Sequence, residues 1–254
     1  MTSRRNASRL AALAATASLL VAGAAAAEPP PEPDRIASIN LGMQFINDAF
    51  MNRVTFRQYE ETGFFDAHYD VTKNYSIDGD IAFRVWKALA FGIAVSHVAE
   101  PTKAFIDASV PNPYFFQFPR STSGERRGLN RREIGVHVQG QLWRVYGDTF
   151  LLRATWGPTL FIVRQDLVSE IRTRESHIDF DRVSLVGHRS TTVTTGSLGV
   201  SLGFDGTLFV NERVGIGFNV RYSRGTATVR LGNRSPTAVE LGGTHAAGGL
   251  RVAF

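Results

Sequence analysis

The chain has 254 residues, 43% of them hydrophobic, with no cysteine and a formal net charge of +5. The absence of cysteine excludes disulfides, thiolate metal sites and a lipid-modified N-terminal cysteine. Three arginines and no acidic residue lie within the first 27 residues, so the rest of the chain carries only +2, which gives little support to a nucleic-acid partner. Beyond those residues, no stretch is apolar and long enough to predict a transmembrane helix.

The first 27 residues have the three regions of a secretory signal peptide. A positive region with three arginines precedes an apolar region, residues 10–22, and Ala25 and Ala27 occupy the small-residue positions before a cut at Glu28. A transmembrane helix is the alternative, but the apolar run is shorter than the ~20 residues that a span needs. We predict three parts, which are a cleaved signal peptide (1–27), a proline-rich periplasmic leader (28–35) and a β-domain (36–254).

From residue 36 onward, bulky apolar side chains alternate with small or polar ones, which is the period of a β-strand. The first such segment spans roughly Ile36 to Asn47, and the last one has Leu250, Val252 and Phe254 on a single face. Six similar segments lie between them. The alternation therefore predicts eight strands.

The links between these strands alternate between short and long. Three links of about three residues join strands two and three, four and five, and six and seven. Short turns on one rim and long loops on the other are typical of outer-membrane barrels, which have the short turns in the periplasm. The predicted long loops cover approximately residues 48–74, 99–131, 164–194 and 231–241.

The positions of proline test the strand prediction separately, because proline cannot donate a hydrogen bond to a β-ladder. Nine of the ten prolines lie in the leader or in a predicted loop. The exception is Pro158, within the fifth strand. We predict a bulge or a lost hydrogen bond at that position.

A soluble barrel is the structural alternative, but it would carry its apolar residues inside. Here the face opposite the bulky apolar side chains holds glycines, serines and equal numbers of acids and arginines, which suits a narrow lumen filled by paired charges rather than an open channel. We predict an all-β fold, a transmembrane antiparallel up-and-down β-barrel of eight strands. The predicted lumen charge network consists of Asp78, Asp80, Arg84, Glu133, Arg153, Asp205, Arg221 and Arg251.

The last residues, 248–254, alternate apolar positions and end in phenylalanine, and they resemble the assembly signal of outer-membrane β-barrel proteins. The eight-strand layout is similar to small barrels of the OmpA, OmpX and OmpW kind. This resemblance implies location in the cell outer membrane, contact with its lipid and lipopolysaccharide, and insertion by the barrel assembly machinery, with Leu250, Val252 and Phe254 as recognition positions. We expect a monomer, with no cofactor and no metal site.

Two short segments raise the question of catalysis, because each has a histidine close to a serine. His188 precedes Ser190, and Ser96 precedes His97, so a base and a hydroxyl are near each other in sequence, as nucleophilic catalysis requires. Neither segment extends into an active-site motif, and His188 lies in a predicted long loop. We therefore predict that the protein is not an enzyme and has no catalytic residue.

The second predicted loop contains an aromatic run followed by arginines. One interpretation is that the aromatic side chains mark the upper lipid boundary while the arginines bind lipopolysaccharide phosphates. The other is an aromatic girdle beside a solvated basic loop. The residues concerned are Tyr114, Phe115, Phe116, Phe118, Arg120, Arg126, Arg127, Arg131 and Arg132.

Three functions are consistent with these features. The first is a surface barrel without catalytic activity, whose long extracellular loops contact lipopolysaccharide or external molecules. The second is passage or binding of small hydrophobic compounds, which the resemblance to OmpW would allow. Modification of lipid A is the third. Because unrelated functions share such scaffolds, the fold alone does not choose among them.

Overall fold

A computed structural model describes residues 33–147, 149–230 and 236–254. Eight antiparallel strands follow one another around a closed barrel, in which β8 pairs with β1. The predicted up-and-down barrel is therefore confirmed. The predicted signal peptide, its cleavage site at Ala25, Ala27 and Glu28, and most of the leader lie outside the described residues. The strands are β1 (Arg35–Gln58), β2 (Glu61–Trp86), β3 (Leu89–Val110), β4 (Arg120–Tyr146), β5 (Phe150–Glu175), β6 (Val183–Phe209), β7 (Val214–Val229) and β8 (Thr237–Ala253).

The first six strands are about twice as long as the alternation predicts. They have 22 to 27 residues each, whereas β7 has 16 and β8 has 17. The prediction of long loops at 48–74, 99–131 and 164–194 was therefore wrong. Most of each of these three segments is strand, and the links shrink to residues 59–60, 111–119 and 176–182. In the fourth predicted loop, 231–241, the strand β8 begins at Thr237, and residues 231–235 lie outside the described residues.

The reason for this error is that the apolar side chains change face partway along the barrel. Near the start of β3, Phe91 points outward and Ala94 inward, while near its end Ile106 points inward and Lys103 outward. The alternation of side chains continues through both parts, so the strand does not end. A search for bulky outward residues loses the strand where those residues move to the inside.

The half of the barrel next to the short turns carries an outward apolar belt. Large apolar side chains are exposed on all eight strands there, including Leu41, Ile93 and Leu202. About ten residues per strand, at ~3.3 Å each and tilted by about 40°, give the ~25 Å apolar band of a transmembrane barrel. Aromatic side chains are exposed near both edges of this belt, with Trp86, Tyr146 and Phe254 at the lower edge and Phe45, Tyr75 and Tyr222 at the upper edge.

Beyond the belt, the upper barrel is built like a soluble protein. Its outward face carries charged side chains such as Arg53 and Asp107. On the first six strands, about a dozen further residues extend roughly 30 Å past the belt. Its interior is a buried apolar cluster. The larger members of this cluster are Phe50, Val54, Phe65, Tyr69, Ile106, Leu129, Phe161, Val163 and Leu167.

The ladders between strands close the ring in the belt, with a short gap between β4 and β5, and are incomplete above it. In the β4–β5 ladder, Gly157 and Pro158 are skipped without a shift of register, which confirms the lost hydrogen bond predicted at Pro158. Above the belt, β1 to β4 remain paired as a sheet, whereas β5–β6 and β7–β8 continue as hairpins. The last ladder pairs on the upper side are Arg131–Gln165 for β4–β5, Gly199–Gly225 for β6–β7 and Phe45–Thr244 for β8–β1.

Candidate functional site

A layer of buried ion pairs crosses the lumen at the level of Arg153 on β5. Its Nη1 lies 2.9 Å from Asp80 Oδ2, and its Nη2 lies 2.9 Å from Asp205 Oδ1. Arg251 approaches the other oxygen of Asp205 at 2.5 Å and donates a second hydrogen bond to Asn40. The register brings Arg153 opposite Asp205 on neighbouring strands. One carboxylate on β6 thus neutralises guanidinium groups from β5 and β8.

A second layer lies directly above, around Asp78 on β2. Arg221 Nη2 is 3.0 Å from Asp78 Oδ2, and Asn40 Nδ2 donates to Asp78 Oδ1 over 2.6 Å. Asn40 therefore links the two layers, because its amide nitrogen serves Asp78 while its oxygen serves Arg251. Sequence reasoning missed Asn40, since a polar residue on an inward face gives no sign of which strand it will reach.

A third layer closes the upper end of the polar lumen. Arg131 lies 3.4 Å from Glu133 and 3.6 Å from Asp48, and the backbone N–H of Gly242 donates to Glu133 over 3.0 Å. Beside it, a cavity of about 10 Å³ next to Asn74 has room for about one water molecule. Seven of the eight residues predicted for the lumen network form ion pairs in these three layers. Arg131 and Asp48 belong with them and were expected in loops.

Arg84 lies near the periplasmic end of the lumen, below these layers. Its guanidinium stacks 5.5 Å from the ring of Trp143 and donates to the carbonyl oxygen of Pro33. Trp143 is fully buried in a small apolar cluster with Ile36 and Leu151. The lower end of the lumen therefore contains an apolar cluster around Trp143, against which the Arg84 guanidinium packs.

One cluster in the second layer has the residue types of a catalytic triad. The hydroxyl of Ser76 lies 2.6 Å from His245 Nε2, and His245 Nδ1 lies 3.6 Å from Asp78 Oδ2. The second distance is too long for the hydrogen bond that orients a catalytic histidine, and Nδ1 has no hydrogen-bond partner. Asp78 is instead held by Arg221. All three side chains are buried in the lumen.

The two histidine segments considered from the sequence do not form nucleophile–base pairs. Ser96 points into the lumen, where His137 Nε2 lies 3.0 Å from its hydroxyl, while the adjacent His97 is exposed on the opposite face. His137 Nδ1 contacts the hydroxyl of Thr159 at 2.8 Å. His188 is not in a loop as predicted but within β6, opposite Ile171.

The mouth of the upper barrel is closed by hydrogen bonds that converge on Glu175, at the end of β5. Arg120 donates to Glu175 Oε1 over 2.6 Å, and the hydroxyl of Tyr59 donates to Oε2 over 2.8 Å, which raises the pKa of Tyr59. Arg120 also donates to the carbonyl oxygens of Pro111 and Phe180. These contacts join the β1–β2 turn, the β3–β4 loop and the β5–β6 loop.

The β3–β4 loop presents the aromatic run at the outer end of the barrel, which we call the aromatic tip (Tyr114, Phe115, Phe116 and Phe118). Its four rings are 62–72% exposed. Asn112 accepts hydrogen bonds from the backbone N–H groups of Tyr114 and Phe115, and the ring of Phe180 packs edge-on against Tyr114 at 5.4 Å. The tip lies at the end of the upper barrel that is farthest from the belt. Both interpretations from the sequence, aromatic side chains at the upper lipid boundary and an aromatic girdle, are therefore wrong for these residues.

The arginines that follow the tip in sequence do not share one surface. Arg120, Arg126 and Arg131 point inward, and Arg126 donates to the carbonyl oxygen of Leu185 on β6. Arg127 and Arg132 are exposed, but Arg127 lies 2.6 Å from Glu125. The interpretation of one solvated basic loop is therefore wrong, because period-two alternation in β4 sends these residues to both faces.

The recognition positions predicted at the C-terminus lie on the outer surface. Leu250 and Val252 on β8 and the following Phe254 are exposed in the belt. β8 pairs with β7 and β1, and the backbone N–H of Phe254 donates to the carbonyl oxygen of Arg35 over 3.0 Å. No helix among the residues that the structure describes is long and apolar enough to cross a membrane.

No protein-family model matches the chain, and no curated protein does. Among solved structures it is similar to Neisserial surface protein A (NspA), with 10% identity and a TM-score of 0.44 over 87% of this chain and 97% of that one. The outer-membrane protease OmpT from Escherichia coli has 9% identity and a TM-score of 0.44 over 89% and 99% of the two chains. The outer-membrane protein AlkL has 12% identity and a TM-score of 0.35, over 91% of this chain and 95% of that one.

At TM-scores below 0.5, these similarities do not extend to function. The assignment of the fold rests on the chain's own geometry, which combines a closed ring of eight antiparallel strands, an outward apolar belt and a lumen filled by ion pairs. That geometry is the architecture of a small transmembrane β-barrel of the outer-membrane type.

Proposed function

We propose that this protein is a non-enzymatic surface barrel of the outer membrane, which conducts no solutes and holds the aromatic tip roughly 30 Å above the membrane for contact with an external molecule. The observation that carries this proposal is the exposure of four neighbouring aromatic rings in the β3–β4 loop, far beyond the closed part of the barrel. Contiguous exposed apolar side chains on a protein surface typically mark an interaction site.

The lumen supports the non-conducting part of this proposal. Three layers of ion pairs occupy the belt region, with an apolar cluster below them and a larger one above. An eight-stranded barrel has an interior just wide enough for its side chains. We therefore interpret the buried charges as structural and the serine–histidine contacts as part of the packing.

The contacts at the mouth support a rigid presentation of the tip. Glu175 and Arg120 are both largely buried and link the tip-bearing loop to β5. A binding loop that is already ordered loses less conformational entropy when its partner binds. The ion pair between Arg120 and Glu175 restricts the motion of the β3–β4 loop, so the aromatic tip is already ordered before a partner binds.

The tip is tested by adhesion of intact cells that carry the barrel. We expect Phe115→Ser combined with Phe116→Ser to reduce adhesion to epithelial cells and to hydrophobic polystyrene at least fivefold, because the exposed rings supply most of the apolar contact area. Val186→Ser, which removes an exposed apolar residue elsewhere on the upper barrel, should leave adhesion unchanged. Equal adhesion by the wild type and the double variant, at equal amounts of protein on the cell surface, would contradict the proposal that the aromatic tip contacts an external molecule.

A second candidate function is binding of a small hydrophobic compound. It is favoured by the end of the β8–β1 ladder at Phe45–Thr244, above which a pocket of about 180 Å³ lies between Phe45, Tyr222 and Leu241. Leu241 also belongs to the apolar cluster inside the upper barrel. The polar residues Arg224 and Glu240 also line this pocket, so it suits a ligand with an apolar body and a polar group.

This candidate predicts saturable binding of the fluorescent probe N-phenyl-1-naphthylamine to the purified barrel. We expect Ile46→Arg, which replaces an apolar lining residue of this pocket with a charged one, to weaken the binding about tenfold, because the apolar probe loses contact area and must desolvate the guanidinium. Val186→Arg is the matched control on the solvent-exposed surface. Absence of saturable binding by the wild-type protein would eliminate this function.

A further inference from the structure

Two arginines on neighbouring strands stand directly opposite each other on the outer surface. Arg132 on β4 pairs in register with Arg164 on β5, and both side chains are exposed. Cβ atoms of directly opposed residues in an antiparallel ladder are ~4.5–5.5 Å apart, so two guanidinium groups at these positions repel each other. Neither arginine forms an ion pair or a side-chain hydrogen bond with any residue that the structure describes.

The flanking positions of the same row leave this pair without a counterion. Ala99 on β3 lies opposite Arg132, and Thr194 on β6 lies opposite Arg164. The nearest acid along β5 is Asp166, the next outward residue. Its carboxylate accepts hydrogen bonds from Asn130 and Thr192, neighbours on the side away from the belt.

The level of the pair relative to the belt indicates what kind of anion would fit. The next outward pair toward the membrane is Ile134 and Ile162, which stand opposite each other and are exposed. Below it, Leu160 and Trp156 continue the apolar surface. A ligand bound here therefore contacts two cations at one end and an apolar surface along the rest of its length. A phosphorylated lipid fits this surface, because it has an anionic head group and apolar acyl chains, and guanidinium groups bind phosphate through paired hydrogen bonds.

We propose that Arg132 and Arg164 together bind a phosphate of lipid A, the phosphorylated glycolipid of the outer leaflet, with its acyl chains along Ile134 and Ile162. This inference rests on the proposed location in the outer membrane. The phosphate offsets the repulsion between the two guanidinium groups, and a single site spans β4 and β5 just below the point where their ladder ends at Arg131–Gln165. The bound lipid thereby holds together the two strands at the end of their ladder.

The test uses the folded protein in neutral detergent micelles with purified bisphosphorylated lipid A as the probe. We expect wild-type protein to bind it at least tenfold more tightly than chemically dephosphorylated lipid A, and Arg132→Gln combined with Arg164→Gln to abolish that difference. Arg172→Gln combined with Arg174→Gln removes the same charge from exposed positions higher on β5 and should keep the wild-type affinity within twofold.

Two results would overturn the proposal. One is equal affinity of the double variant and the wild type for bisphosphorylated lipid A. The other is displacement of lipid A by millimolar inorganic phosphate, which would identify a free-anion site instead of a lipid site. Heat-modifiable mobility of each variant in gel electrophoresis reports separately whether the barrel is folded. A barrel that folds and inserts into membranes but binds both forms of lipid A equally contradicts this inference and leaves the proposed function intact. A barrel that fails to insert into membranes contradicts the proposed function.

Discussion

Asp205→Asn is expected to lower the free energy of unfolding of the barrel by about 3–5 kcal/mol, the usual cost of removing one partner from a buried ion pair. Asp205 is the carboxylate shared by Arg153 and Arg251, all three of them buried. After the substitution Arg153 retains the carboxylate of Asp80, whereas Arg251 retains only neutral acceptors, the amide oxygen of Asn40 and the carbonyl oxygen of Leu250. A buried cation then remains without a carboxylate, and unfolding in urea from lipid vesicles measures the loss.

A compensating variant separates the loss of charge balance from the loss of packing. Adding Arg251→Met to Asp205→Asn removes the unpaired cation, so we expect recovery of at least half of the lost stability. Glu240→Gln is the control, because its ion pair with Arg224 is exposed and contributes about 0–1 kcal/mol. If Asp205→Asn and Glu240→Gln cost the same, the buried layer is not a structural requirement of the barrel.

The second large effect is expected on the outer face of the belt. Leu202 lies near the centre of the outward apolar run of β6, which extends from Leu198 to Leu208. In hydrocarbon, an arginine at the midplane of a transmembrane barrel costs about 2–4 kcal/mol. Leu202→Arg should therefore lower the free energy of unfolding from lipid vesicles by that amount and slow insertion from urea.

The control for this prediction lies on the same strand outside the belt. Val186 on β6 is about as exposed as Leu202, at 52% against 56%, but it belongs to the upper barrel. Val186→Arg should change the free energy of unfolding by less than about 0.5 kcal/mol, as is usual for a surface substitution. Similar losses for the two arginine variants would mean that both positions face the same medium.

Within the belt, the sequence pattern was sufficient to predict both faces of the barrel. Bulky residues at every second position, such as Phe91 and Ile93, identify the outward face because lipid accepts only apolar side chains. The inward face then follows by alternation, which is why Arg153, Asp205 and Arg251 were expected in the lumen. The short turns were also predictable, since links of two to four residues are too short for anything but a tight turn.

Above the belt, bulky apolar residues no longer mark the outward face, because the barrel is surrounded there by water instead of lipid. In water the favourable arrangement is apolar inside and polar outside, so Phe65 and Ile106 occupy the face that carries polar residues lower down. A single criterion for the outward face therefore cannot follow a strand through both media. The inverted alternation in residues 48–58 and 104–110 was the available signal, and it was interpreted as loop.

The pairs between distant strands could not be predicted from local pattern. His245 meets Ser76 across a separation of 169 residues, and Arg132 meets Arg164 only through the register of β4 and β5. A shift of that register by one residue would send one of the two arginines into the lumen. Register depends on the packing of whole strands, so both contacts required the three-dimensional structure.

The most direct test of this account measures which medium surrounds β3 along its length. The chain has no cysteine, so single substitutions can carry a spin label without background. In lipid vesicles, labels at Phe91→Cys and Ile93→Cys should be accessible to oxygen dissolved in the bilayer, and labels at Lys103→Cys and Asp107→Cys to a water-soluble nickel complex. Access of the nickel complex to positions 91 and 93 would contradict a belt that faces hydrocarbon.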